Sequence, residues 1–326
     1  FSERAHWFRF LDRDGTTSHQ QECCYRFTAW SSLYLPLRDA LGEESYHLGY
    51  EVVDFQVTDD EVTLEFAAGD SETTDLLVGA DGISSTARSL LAPVARPVFA
   101  GYLGWRGVVR ESQLDEIVFK RLHEAITYFT PERSHILSYP IPNPSEGERL
   151  LNYVWYRNID SGFEQVMTDA RGETRQLSVP PGLVPPLHVD NLRVEAEELL
   201  PPDLAAMVLA TQHPFIQAVV DVEVGQMAFG RVCLLGDAAF AARPHAAAGT
   251  AKAAADAWDL VATLKAIADI RKGLAAWESR ALRRGRQLVA RARRLGELAQ
   301  VKNQFRGDDP EVMFGLERAG DSCFDN

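Results

Sequence analysis

Two segments of the chain share a pattern that few folds accommodate. Asp75-Leu76-Leu77-Val78-Gly79 runs straight into Ala80-Asp81-Gly82-Ile83-Ser84-Ser85-Thr86-Ala87-Arg88. Gly230-Arg231-Val232-Cys233-Leu234-Leu235 runs into Gly236-Asp237-Ala238-Ala239-Phe240 and a small-residue loop that reaches Gly249. A short apolar run without alternation reads as a strand buried on both faces, the habit of a parallel sheet covered by helices. A carboxylate just beyond such a strand stands where open α/β sheets bind ligands. Two such turns, about 155 residues apart in one chain, say more than either alone. They point to an α/β domain interrupted by whatever lies between them.

The intervening residues read as a second, antiparallel sheet. From Tyr46 to Gly79 apolar residues alternate through Val53, Phe55 and Val57, an Asp59-Asp60 turn, then Val62, Leu64 and Phe66, which predicts a meander. Aromatic-rich runs at Gly101 to Val109, Ala125 to Phe129, Ile136 to Ile141 and Leu150 to Arg157 are punctuated by Pro131, Pro142 and Pro144 and predict further strands. The pairs Pro180-Pro181 and Pro185-Pro186 mark a connecting segment. Helical patterning follows at about 194–219, 249–270 and 273–299. The expected division is 1–95 for one part of the α/β domain, 96–190 for the inserted α+β sheet domain, and 191–326 for the second α/β segment with carboxy-terminal helices.

Composition narrows the functional classes. With 33 Lys and Arg against 47 Asp and Glu, the net charge is −14, so a nucleic-acid partner is not expected. The arginines between Arg280 and Arg294 wrap around a helix and read as a solvated surface. No run approaches the roughly 20 apolar residues of a membrane helix, and no secretory leader opens the chain. No membrane partner and a cytoplasmic location are therefore expected. Cys23, Cys24, Cys233 and Cys323 have no zinc spacing, no metal is expected, and Cys23 and Cys24 read as free thiols.

Each turn has specific chemistry and a bland alternative. Gly82 removes a side chain that would block a cofactor, Ser84 or Ser85 can cap the next helix, and Arg88 lies one turn in, facing back. A capped turn with an Arg-Asp pair would explain the same residues. In the second segment Asp237 can accept hydrogen bonds from ribose or ribityl hydroxyls. The helix starting at Gly249 and Thr250 offers free N–H groups to negative charge. Close packing alone would explain Ala246 to Ala248, but not Asp237, Pro244 and Gly249 at these spacings.

Asp81-Gly82 with Ser85 and Arg88, and Gly236-Asp237 with Pro244, Gly249 and Asp256, resemble two motifs of the class A FAD-dependent aromatic monooxygenases, the para-hydroxybenzoate hydroxylase group. The run from Gly236 to Trp258 is most similar to the branch of 2,6-dihydroxypyridine 3-monooxygenase, and the resemblance spans essentially the whole chain. Tyr25-Arg26-Phe27 is similar to the segment in which an arginine contacts the dinucleotide. Two departures stand out. The family opens with a Gly-x-Gly-x-x-Gly unit that does not occur here, so the resemblance implies a Rossmann-like FAD-binding domain whose amino-terminal part is missing, and a fragment that holds FAD poorly. Phe240 stands where many relatives carry His.

The resemblance implies hydroxylation of a small aromatic or N-heteroaromatic ring, using FAD, NADH or NADPH, and dioxygen through a flavin hydroperoxide. It implies FAD contacts at Arg26, Asp81, Gly82, Arg88, Gly236, Asp237, Gly249 and Thr250, and a role for Pro244 in shaping the oxygen-reaction pocket. A hydroxylated ring calls for a base, and His245 is the titratable group placed beside the flavin motif. From the inserted sheet, Arg106 and Tyr153 are the expected substrate contacts among Trp105, Tyr139, Trp155 and Tyr156. Partners are then the ring substrate and dioxygen, and a homodimer is compatible with this reading. The alternatives are another flavoprotein oxidoreductase or epoxidase of the same fold, or a cofactor-free binding protein.

Overall fold

The computed structural model describes residues 1–143 and 147–321. Its centre is a nine-stranded sheet ordered Ser178–Val179, Phe215–Glu223, Val98–Arg110, Leu150–Asn158, Ser134–Ile141, Ala125–Phe129, Trp7–Leu11 and Thr17–Glu22, with Phe240–Ala241 paired to Phe215–Glu223. Neighbours are antiparallel except Ala125–Phe129 against Trp7–Leu11. The sheet thus draws strands from each of the three sequence ranges set out above, the first included.

Strand alternation gives this sheet two apolar faces. Leu103, Trp105, Tyr153 and Trp155 face one core, against the helices Pro186–Leu199 and Pro202–Ala210. Tyr102, Val154, Tyr156 and Leu137 face the other, beneath the helix Ile270–Gln300. A helix was expected across 194–219. Instead the chain breaks at Pro201-Pro202, and Phe215–Glu223 is a strand. Its Val219, Val220 and Val222 favour the pleated backbone and are buried there.

The two motif strands pair as expected. Leu77–Gly79 runs parallel to Val232–Leu234, so Asp81 and Asp237 leave the same end of one small sheet. Leu77–Gly79 is not buried on both faces, however. It hydrogen-bonds to one neighbour in a three-stranded sheet, and Val78 is 37% exposed. The meander forms as Val52–Val57, Val62–Phe66 and Ser71–Thr74. Helices Gly249–Ala266 and Ile270–Gln300 pack together behind the second motif.

The arginines of the last helix are not simply solvated. Arg280 and Arg284 pair with Asp259 and Asp256, Arg293 with Asp221 and Glu223, and Arg291 donates to the Met313 and Gly315 carbonyls. The helix face that looked like surface is clamped to its neighbours by complementary carboxylates distant in sequence. Cys23 and Cys233 are free thiols, but Cys24 is disulfide-bonded, contrary to the expectation; its spacing from the other cysteines could not reveal a pairing fixed by the fold. No helix among the described residues is long and apolar enough to cross a membrane.

Candidate active site

A cavity of about 560 Å³ opens between the large sheet, the second motif and the segment Tyr25–Thr28. The Gly236–Ala238 turn forms one wall. Gly236 holds a left-handed φ of 62°, which a glycine adopts without strain. This turns Asp237 toward the cavity, half-buried, with its carboxyl pKa raised by burial while the nearby Lys252 ammonium opposes the rise. Pro244, His245, Gly249 and Thr250 lie on the same wall. Between them Ala247 sits at φ 50° without being a glycine, strain of the kind that collects at functional loops.

The helix Gly249–Ala266 begins at this wall. Its N-cap, Ala248, makes no side-chain cap, and a Cβ at Gly249 would meet nothing within 4 Å. Free N–H groups therefore face open space, the arrangement that takes a negatively charged group.

One turn inside this helix is a cluster that the sequence reading missed. Lys252 and Asp256 are both fully buried and lie 2.8 Å apart. Lys252 Nζ donates to the Gly236 carbonyl at 2.9 Å and sits 5.2 Å from the Phe240 ring centroid. Arg284 reaches Asp256 from the neighbouring helix at 2.7 Å. Asp256 stood among the motif residues but Lys252 did not, and the signal for the pair was a Lys four residues before that Asp in an alanine-rich helix. At Phe240, where many relatives have His, the ring packs onto Gly285, whose missing Cβ makes room for it.

The first motif serves the site differently from the expectation. Asp81 accepts from Ser85 Oγ and from the Ala87 N–H at 3.1 Å, and the Ser85 hydroxyl caps the helix by accepting from the Arg88 N–H at 2.9 Å. Gly82 is left-handed with open space where a Cβ would stand. Arg88 is buried, and its guanidinium donates to the carbonyls of Ala95 and Ala238 at 3.0 Å and to those of Gly82 and Ile83. Four of its five N–H donors are taken by these carbonyls, so it ties the two motif turns together. From this turn it is Ile83 that borders the cavity.

On the sheet side, parity decides. Gly104, Arg106, Tyr139, Val154, Tyr156 and Gln217 border the cavity. Tyr153, one residue out of phase, points through the sheet into the opposite core, fully buried against Gly107 and Thr211. The expected substrate role of Tyr153 is therefore corrected: the cavity takes its neighbours Val154 and Tyr156. Arg106 is on the cavity face, with Nη1 donating to Gln217 Oε1 at 2.8 Å and a buried Nε that has no partner among the described residues. Arg26 also borders the cavity.

The deepest part holds a cluster of rings. His245 is buried, 5.2 Å from the centroids of both His135 and Tyr156, and its Nε2 lies 2.6 Å from the Tyr102 hydroxyl. Burial, reinforced by the Arg243 charge, pushes its pKa down to about 3. His135 is lowered as well, by burial and then by His245. Among the described residues no group of His, Cys, Asp or Glu is arranged to hold a metal.

A family described as FAD binding domain-like matches residues 99–221. The chain is 33% identical over 297 residues to 2,6-dihydroxypyridine 3-monooxygenase of Paenarthrobacter nicotinovorans, covering 90% of this chain and 74% of that protein. An FAD-dependent urate hydroxylase of Klebsiella pneumoniae is 27% identical, over 84% of this chain and 65% of its own length. The solved 2,6-dihydroxypyridine-3-hydroxylase of Arthrobacter nicotinovorans superposes with a TM-score of 0.93 at 31% identity, covering 98% of this chain and 81% of that one. A salicylate hydroxylase substrate complex shares the fold, with a TM-score of 0.74 at 22% identity, 95% of this chain and 77% of that chain.

Proposed function

Because the chain belongs to the FAD-dependent aromatic monooxygenases, we propose that it forms the ring-binding and flavin-facing part of an enzyme that hydroxylates a small, hydroxylated N-heteroaromatic ring of the dihydroxypyridine kind. The observation that carries this is the cavity itself. One wall offers an acceptor carboxylate and an uncapped helix N-terminus, and the facing sheet offers an incompletely paired guanidinium among aromatic rings.

The residues present fit FAD. Asp237 would accept hydrogen bonds from the ribityl hydroxyls at the Gly236 turn, and the N–H groups at Gly249 and Thr250 would face negative charge on the flavin ring. Arg26 would pair with phosphate at the cavity mouth. Asp81 and Gly82 would meet the flavin from the first motif turn, while Arg88 keeps the two turns in register. Bound FAD, reduced by NADH or NADPH, supplies the activation of dioxygen. The chain's own part is to orient the ring with Arg106 and the Tyr139–Tyr156 face, to shape the oxygen side with Pro244, and to exclude water. His245 would contact the ring directly.

We further place residues 1–95 and 191–326 mainly in the flavin-binding part and 96–190 mainly in the substrate-binding part. We place the protein in the cytoplasm, without nucleic-acid or membrane partners, and a homodimer is compatible with this reading. The test is titration of the purified chain with FAD, followed by flavin absorbance after desalting. Retained flavin that Asp237→Ala abolishes supports the reading, and ring-stimulated oxidation of NADH or NADPH in the presence of 2,6-dihydroxypyridine is then the activity to measure. Flavin retained equally by Asp237→Ala would remove the assignment of that residue.

A further inference from the structure

Tyr102 and His245 meet in a space cleared for them. Tyr102 comes from the strand Val98–Arg110 and His245 from the loop after the second motif; they are 2% and 5% exposed. Gly296 of the long helix lies behind both, and a Cβ there would stand 2.6 Å from the Tyr102 hydroxyl and 3.1 Å from His245 Nε2. The pair is thus built into the packing of three elements, at the wall of the cavity.

Which atom carries the shared proton follows from the neighbours. Arg243 lies over the Tyr102 ring at 5.8 Å and is anchored to Asp221 at 3.0 Å, so its charge stands beside the phenol. A guanidinium can only donate, so it offers no acceptor for the phenol proton. Among the described residues the acceptor within reach is His245 Nε2. Burial holds the phenol far above its ordinary pKa, so it keeps that proton. The other groups around the imidazole, His135 and Tyr156, are uncharged rings, and the one charge nearby, Arg243, disfavours an imidazolium. A neutral imidazole that accepts at Nε2 carries its single proton on Nδ1. No partner for Nδ1 occurs among the described residues.

We propose that His245 serves the cavity as a neutral hydrogen-bond donor through Nδ1–H, in a tautomer fixed by Tyr102, and that the group it receives is the ionised oxygen of the aromatic ring. This deepens the ring-hydroxylase reading and rests on it for the identity of the ligand. A neutral N–H stabilises an oxyanion without surrendering its proton, so the ring stays electron-rich. An imidazolium at the same place would protonate that oxygen and weaken the ring as a nucleophile. The ring proton is accordingly lost to solvent on entry rather than to His245. Tyr102 is a positioning residue: it is not among the residues lining the cavity and acts by keeping the proton of His245 on Nδ1.

Nitrogen-15 NMR of the chain labelled in its histidine rings tests this without flavin or turnover. His245 is assigned by the signals lost in His245→Gln. At pH 7 the expected pattern is a protonated, pyrrole-type Nδ1 and an unprotonated, pyridine-type Nε2, unchanged down to pH 5. Tyr102→Phe is expected to release the constraint and give a mixture of tautomers. An Nε2–H tautomer or an imidazolium in the wild-type protein at pH 7 overturns the proposal, and this holds even where Tyr102→Phe fails to fold. Addition of 2,6-dihydroxypyridine is expected to shift the Nδ1-bound proton downfield while the ring stays neutral; conversion to imidazolium overturns the donor role. A ring that leaves every histidine signal in place, beside an intact Nδ1–H tautomer, removes the ring-binding reading of the cavity and the ligand assigned to His245.

Discussion

Deleting one charge of the buried cluster under the second motif separates an ionic anchor from incidental packing. Asp256 and Lys252 have no exposed side-chain surface and lie 2.8 Å apart, and Asp256 also receives Arg284. Asp256→Ala leaves the Lys252 ammonium against one carbonyl, that of Gly236, in a site from which water is excluded. An uncompensated buried charge of this kind costs about 3–5 kcal/mol. With about 2.1 cal/mol/K of unfolding entropy per residue over a chain of this length, Tm falls by about 4–7 °C. Lys252→Met is milder, about 2 kcal/mol, since Asp256 keeps Arg284 and only one charged hydrogen bond is lost. The double variant Lys252→Met with Asp256→Leu has no stranded charge. Its loss should fall short of the sum of the two single losses by about 2 kcal/mol or more. Urea unfolding of the four proteins provides the comparison. Strict additivity, or an Asp256→Ala protein as stable as the wild type, would refute the claim that the two charges are held as a desolvated pair.

Three further outcomes follow from the geometry. Arg106→Met should weaken binding of 2,6-dihydroxypyridine by about tenfold or more, the worth of a charged hydrogen bond, while Tyr153→Phe leaves it unchanged; isothermal titration of both variants checks which face of the sheet meets the ring. Arg88→Leu strands several carbonyls at about 1–3 kcal/mol each, so its urea midpoint should drop by the equivalent of about 3 kcal/mol or more. His245 titrates at about 3 when folded and near 6.5 when unfolded, so below 6.5 the unfolded chain binds the extra proton and stability is lost as pH falls from about 6.5 towards 3. Between pH 6.5 and pH 5 that loss is about 1.6 kcal/mol, and His245→Gln should remove it from the pH dependence of unfolding.

How much of this was legible in the sequence depended on whether the deciding interaction was local. The two motif strands, the meander and the aromatic strands are encoded by nearest-neighbour patterns of apolar and turn residues, and they appear where those patterns stand. The same holds for the places of Asp237 and Gly249, at a strand end and a helix start on the cavity wall. Tyr153 was misplaced because an alternating strand names two faces without saying which one meets the ligand. The face is set by pairing with Val98–Arg110 and by the helices Pro186–Leu199 and Pro202–Ala210 lying on the Tyr153 side, contacts that no local pattern contains. The arginines of the last helix were misread for a related reason: their carboxylate partners at Asp221, Asp256 and Asp259 come from other elements.

The parts that escaped the sequence are also those that make the second motif a site rather than a loop. Asp237 is a surface-type residue by its spacing alone. Its partial burial beside Lys252 sets its surroundings, and the Lys252 ammonium is held there by the Asp256 carboxylate and the Gly236 carbonyl, with Arg284 pairing to the other side of Asp256. His245 likewise reads as a base from its position. Its chemistry is set instead by Tyr102 from the sheet and by the absence of a side chain at Gly296 from the last helix. In both cases the residue that borders the cavity is visible in the sequence, and residues 15 to 143 positions away set its electrostatic and hydrogen-bonding surroundings. A variant that preserves every motif residue but replaces Lys252 or Tyr102 should therefore keep the fold's outline and change the chemistry at Asp237 or His245.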